Sequence, residues 1–345
     1  MRITSRDMAF FENYIYFFSA VERVLFRMNI NDYKVEIVKI AGIDGFPDID
    51  RCVIWDKKLY ANDISGNYLV EIGIGNNNFI KYDLDFNIAP DGNVSLIKAI
   101  GEQLYIVGKR NKKIAKLQKG SKKIETILMP EYLQNSEYVI ACEENENIWI
   151  FPSEGDVCSV YNTKIAKWEV FTIKFKLNKV RNCIYNTGSL YLLEEDGTVC
   201  KMDIALKKCE RVVKAQTDAI YTNLICTDNE ILIFCANNGE IEKYDKNTFK
   251  LIDKIKSNQE HSVPRARNLY SRYYGYCKNK EWVYFANRVY EKYLRVNINN
   301  GNIEWYTPVF PDEKELIRYR LKYTNGAKQE SSTITLIDYV GAITE

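Results

Sequence analysis

Short apolar runs alternate with charged or glycine-bearing turns along this chain, and the alternation repeats. Residues 188–215 state the unit plainly. Apolar runs at 190–193, 199–204 and 211–213 are separated by a charged Gly turn and a charged loop. An apolar couplet centred on a large side chain returns at Tyr16, Tyr60, Tyr105, Trp149, Tyr191, Leu232 and Tyr284, in steps of 44, 45, 44, 42, 41 and 52 residues. A period in the forties predicts propeller blades, each a four-stranded antiparallel sheet. Seven copies predict an all-β, seven-bladed β-propeller.

Each unit parses into four strands. The first is short and apolar, as at 51–55 and 138–142, and the second holds the couplet. Third strands follow a polar hairpin at 25–30, 69–74, 114–118, 157–161, 199–203, 241–244 and 294–298. Fourth strands follow at 35–40, 79–84, 124–129, 168–173, 211–213, 251–255 and 303–306. Many turns carry Asn, Asp or Gly, which tolerate the positive φ of tight hairpins. The inner runs are apolar at nearly every position, which suits strands covered on both faces by neighbouring blades. The division that results is a propeller over 1–309 and a C-terminal extension over 310–345, partly helical and packed on the propeller. In the extension, 312–323 is charged and reads as helical. Thr335 and Asp338 make an imperfect capping box, and Leu336, Tyr339, Val340 and Ile343 fall on one helical face.

A second-strand couplet, a third strand ending near Tyr-Asp or Tyr-Asn, and then an outer-strand Trp is a layout that resembles the Kelch-like and WD40-like propellers. Tyr161-Asn162 with Trp168, Tyr244-Asp245, and Trp305 after Asn300-Gly301 carry the resemblance, over about residues 5–309. The Gly-Gly pair of Kelch repeats is missing from every blade, and the Gly-His and Trp-Asp marks of WD40 repeats do not recur. The resemblance therefore implies the architecture and no functional residue.

Composition narrows the classes. Net charge is +2, so no general attraction to nucleic acid is expected. The basic stretch 108–123 reads as a solvated edge. No run approaches about 18 uncharged apolar residues, so no membrane span is expected, and the N-terminal stretch lacks a secretory pattern. The nine cysteines are odd in number, lack any C-x-x-C pair, and sit in apolar runs. They read as buried free thiols of a cytoplasmic protein rather than a disulfide framework. With one histidine, His261, a multi-histidine metal centre is excluded, and no cofactor is expected.

Function on a propeller sits in loops and at the channel mouth. Connections from one blade's outer strand to the next blade's inner strand share a face with the second-to-third-strand hairpins. Two are rich. Residues 41–50 carry three acids, and 256–267 hold His261, Pro264, Arg265 and Arg267, with Arg272 and Tyr273 shortly after. Aligning the inner strands by their starts brings Arg6, Arg51, Arg181 and Arg272 to one mouth. Arginine's planar fork of donors suits a carboxylate or phosphate. The expected site is thus Arg6, Arg51, Arg181, Arg265, Arg267, Arg272 and Tyr273, binding a protein, peptide, glycan-like or anionic ligand as a non-catalytic recognition or scaffold module. Pairing of these arginines with Asp7, Asp50 and Glu137 across blades is the competing, purely structural reading. A carboxylate hydrolase using those three acids on a carbohydrate or other polar substrate is the enzymatic alternative.

Overall fold

The structure is a computed structural model that describes residues 5–19, 22–40, 46, 48–84, 86, 94–215, 219–236, 239–256, 275–285, 292–312 and 314–316. It forms seven four-stranded antiparallel sheets, each built from four strands consecutive in sequence. Inner strands open the blades at Met8–Phe11, Ile49–Trp55, Val94–Ile100, Val139–Glu144, Val180–Asn186, Tyr221–Cys226 and Tyr276–Lys278. The inner strands of blades one to six pack side by side in turn, blades six and seven meet through a shared core, and the last inner strand lies against the first, which closes the ring. The predicted third and fourth strands fall where the sequence placed them, within a few residues at their ends.

Burial follows the radial order. The seven couplet centres, Tyr16, Tyr60, Tyr105, Trp149, Tyr191, Leu232 and Tyr284, are all buried. The second strand Ser189–Glu194 is buried along its whole length, whereas the outer strand Ile124–Leu128 is mostly exposed. A middle strand is covered by sheet neighbours at its edges and by the next blade on each face, so it admits an uninterrupted apolar run. The cores therefore lie between blades. Between blades four and five, Trp149, Phe151, Leu190 and Leu192 pack with Cys142, Cys158, Cys183, Cys200 and Cys209. All nine cysteines are buried and free.

Backbone hydrogen bonds stitch one face of the ring. A carbonyl in the second-to-third-strand hairpin accepts an N–H from the start of the next blade, whose preceding carbonyl accepts from its own hairpin. The chain of bonds runs Val139 N to Lys109 O at 2.9 Å, Ser153 N to Tyr138 O at 2.8 Å, Val180 N to Ser153 O at 3.0 Å, Glu195 N to Lys179 O at 3.0 Å and Tyr221 N to Glu195 O at 2.9 Å. These loops carry no ladder of their own, and the stitch satisfies their polar groups. Gly197, at φ +79°, makes one such hairpin tight, and a side chain there would run into Ala215 and Tyr221.

The ring closes without a strand shared between the termini among the described residues. The start of the extension seals the seam instead. Val309 bridges Lys34 in parallel, accepting from Val35 N at 2.8 Å and donating to Tyr33 O at 2.9 Å. Phe310 meets Phe26 edge-on, and Leu316 is fully buried among blade-one and blade-seven side chains. A helical turn starts at Asp312, whose side chain accepts from Lys314 N at 3.0 Å. The rest of the extension, with the helix expected at 335–343, lies outside the described residues.

Candidate functional site

Four inner strands begin with a β-bulge. Register with the second strand skips one residue at Asp50, Ser95, Arg181 and Thr222. All four are polar, at the start of otherwise apolar strands. A bulge leaves its extra residue outside the ladder and re-aims its side chain. At the stitched face this lets polar groups stand at the start of largely apolar inner strands.

Three of the predicted arginines meet here. Arg6 makes a two-pronged pair with Asp48, Nε to Oδ1 at 3.2 Å and an Nη to Oδ2 at 3.0 Å, across the boundary of blades one and two. Arg181 pairs with Glu195 of its own blade. Arg51 lies within electrostatic range of Asp7, Asp50, Lys109 and Tyr276. Arg265, Arg267, Arg272, Tyr273 and His261 lie outside the described residues, as does most of loop 41–50. Arg6 and Arg181 do pair with acids, through Asp48 and Glu195, two carboxylates outside the expected set of Asp7, Asp50 and Glu137. Glu137 stands on the exposed rim, 4.0 Å from Arg110.

The mouth holds ionisable groups in an environment that disfavours charge. Burial pushes Asp7 up to about 6 despite the counter-charge of Arg51 and an N–H from Cys52 at 3.0 Å. Asp50 is about 1% exposed, and burial raises its carboxyl too, against the pull of Arg51, Arg6 and Lys109. The Val94 amide lies near enough to favour the ionised form, yet among the described residues neither oxygen of Asp50 has a partner at hydrogen-bond geometry. Burial, reinforced by the charges of Arg51, Arg181 and Arg110, lowers Lys109 to about 8. Tyr276 is raised to about 12, chiefly by burial. Arg51, Lys109, Arg181 and Tyr276 all keep some solvent contact, as expected for groups lining a narrow opening.

Lys109 was not among the sequence candidates. It belongs to the basic stretch read as a solvated edge, and that reading does not hold at its start. Lys109 is half-buried, and Lys112 is about 3% exposed with Nζ donating to Lys109 O and Glu137 O, each at 3.2 Å. Farther along, Lys116 and Lys119 do sit on the edge with carboxylate partners. Among the described residues no group of His, Cys, Asp and Glu has the arrangement of a metal site, and no helix is long and apolar enough to cross a membrane.

No protein-family model matches the chain, and no curated protein sequence matches it. Solved structures do. PorZ of Porphyromonas gingivalis, an essential bacterial surface component of the type-IX secretion system, aligns over 91% of this chain with TM-score 0.61 and 12% identity; this chain spans 39% of that one. Virginiamycin B lyase from Staphylococcus aureus, a catalytically inactive variant with quinupristin, aligns over 84% of this chain and 94% of its own with TM-score 0.64 and 12% identity. BamB from Moraxella catarrhalis aligns over 82% of each chain with TM-score 0.54 and 9% identity. At such identities the likeness is one of propeller fold.

Proposed function

We propose that the protein is a non-catalytic recognition or scaffold module that binds a polar or anionic ligand, most simply a segment of another protein, at the stitched channel mouth. The observation that carries this reading is the convergence of Asp7, Asp50, Arg51, Lys109, Arg181 and Tyr276 from five blades onto one end of the channel, with solvent reaching the cations. Folding alone does not call for such a set, because ionisable groups at depth cost stability even when paired. The fold serves a secretion-system component in PorZ and an enzyme in virginiamycin B lyase, so fold does not choose between them. A Kelch-like or WD40-like role in protein binding is the finer form of the proposal. The cytoplasm is the proposed compartment, supported by nine buried free thiols.

A hydrolase is supported less well. Asp7 near 6 has the character of a general acid. Its candidate partners are poorly placed, since both oxygens of Asp50 are sealed from solvent and Glu137 stands out on the rim. The test is affinity capture from the native lysate with the wild type and an Arg51→Ala/Arg181→Ala variant. A partner retained by the first and lost by the second, at unchanged melting temperature, supports the proposal. Collapse of the variant's fold would reassign both arginines to ring closure and remove it.

A further inference from the structure

We propose that Lys109 anchors an anion subsite at the channel mouth that takes a side-chain carboxylate of an acidic peptide. This deepens the reading of the mouth as the ligand-binding end and rests on it.

The backbone of Lys109 is fixed. Its carbonyl accepts from Val139 N at 2.9 Å and from Lys112 Nζ at 3.2 Å. Its ammonium lies over the Tyr138 ring, 4.9 Å from the centroid. A ring face favours a cation but accepts no directed hydrogen bond from all three N–H groups. Among the described residues that ammonium has no hydrogen-bond acceptor and no ion pair, although it is half-buried. The charges that reach it include Arg51 from blade two, Arg181 from blade five, its neighbour Arg110, and the carboxylate of Asp50. Glu195 holds Arg181, and Glu137 stands 4.0 Å from Arg110. An ammonium left without an acceptor among cations is a place where an incoming anion gains a charge-assisted hydrogen bond at small cost to the protein.

The chemistry favours a carboxylate over a dianionic phosphate. Asp50 lies within charge range of Lys109 and is sealed from solvent, and its carboxylate repels a second negative charge more than the first. It favours a peptide over a lone small anion because the open rim beside Lys109 presents Arg110, about 38% exposed. A chain with successive acidic side chains would meet both cations.

The test is acetic anhydride labelling of the folded protein, read at Lys109 by peptide mass spectrometry. The probes are an end-capped oligoglutamate peptide, an end-capped oligoglutamine peptide and inorganic phosphate. Protection of Lys109 by oligoglutamate and not by oligoglutamine is the expected result. By calorimetry, Lys109→Met should weaken oligoglutamate binding about tenfold or more, Lys109→Arg should keep most of it, and Asp50→Asn should tighten it. Equal labelling with and without oligoglutamate, or protection by phosphate alone, overturns the inference. If Lys109→Met does not fold, weakening rather than tightening in Asp50→Asn has the same force. Loss of a captured partner in the Arg51→Ala/Arg181→Ala variant, with Lys109 unprotected, would leave the proposed function standing and remove only the carboxylate anchor.

Discussion

Blades four and five meet differently from blades seven and one. The first boundary is filled by what the repeat supplies. Leucines, Trp149, Phe151 and five thiols interdigitate between consecutive sheets. The second boundary joins the chain's beginning to its end, and there residues from beyond the last blade add to what the repeat supplies. Aromatic rings crowd in beside Met8, Ile15, Met28 and Val35. Tyr284, Tyr293 and Tyr306 cluster, and Tyr33 stacks on Tyr306 at 4.6 Å. Val309, Phe310 and Leu316 come from beyond the last blade to cover them. Bringing the two ends together requires a long-range closure that no local contact repays in advance. The extension therefore acts as a clasp, and its first residues belong to the propeller's stability.

Truncating one leucine on each side tests the clasp most strongly. Leu192 and Leu316 are both fully buried. Changing either to Ala should cost about 2–5 kcal/mol in denaturant unfolding. Equal costs, with one cooperative transition in each variant, make the extension as much a part of the fold as a blade strand. A negligible cost at Leu316 would reduce the clasp to a surface appendage.

Gly275→Ala should have the next largest effect, and only at the closing seam. An added Cβ would lie 2.1 Å from the Arg6 carbonyl oxygen and 2.4 Å from the Asp7 Cα. Both are backbone atoms, which cannot swing aside. The strain should cost about 1–3 kcal/mol, seen as a lower unfolding midpoint. Because the displaced segment carries Arg6 and Asp7, the same variant should weaken ligand capture. A normal midpoint would mean the seam has room to relax.

The contrast between the boundaries also explains what was legible in the chain. The blades were legible because their middle strands, buried on both faces, leave an unbroken apolar run at a fixed period. A packed extension was expected, but its anchor at Leu316 was not legible, because a single buried leucine in a charged segment has no period to announce it. At the mouth, Arg6, Arg51 and Arg181 could be found by aligning strand starts, since the repeat fixes their height in the ring. Lys109 could not. It is one lysine among several in a basic stretch, and its position follows from a hairpin in which Asn111 Oδ1 folds back to accept from Lys113 N at 3.1 Å. The bulges at Asp50 and Arg181 were hidden for a related reason. A bulge is a mismatch between two strands, and neither strand shows it alone. A polar residue just before an apolar inner run was the available hint.

The smallest effect concerns Asp7, where the closing seam meets the mouth. Its carboxyl is held near 6 in the fold, against about 3.9 in an unfolded chain. The folded state thus binds the proton more tightly. Between about pH 6 and pH 4 the native protein carries more protons at this site than the unfolded one, so its contribution to stability rises as pH falls. Above pH 6 the buried charge is a burden. Discounted for the solvent that reaches the side chain, it amounts to about 1–2 kcal/mol. Asp7→Asn should therefore be more stable than the wild type at pH 7.5 and show a flatter stability profile between pH 4 and 6. Its amide oxygen can still accept from Cys52 N, so the inner strand stays in register. If the variant is instead less stable at pH 7.5, the ionised Asp7 is a net anchor for Arg51, and the mouth is built to close the ring rather than to hold charge for a ligand.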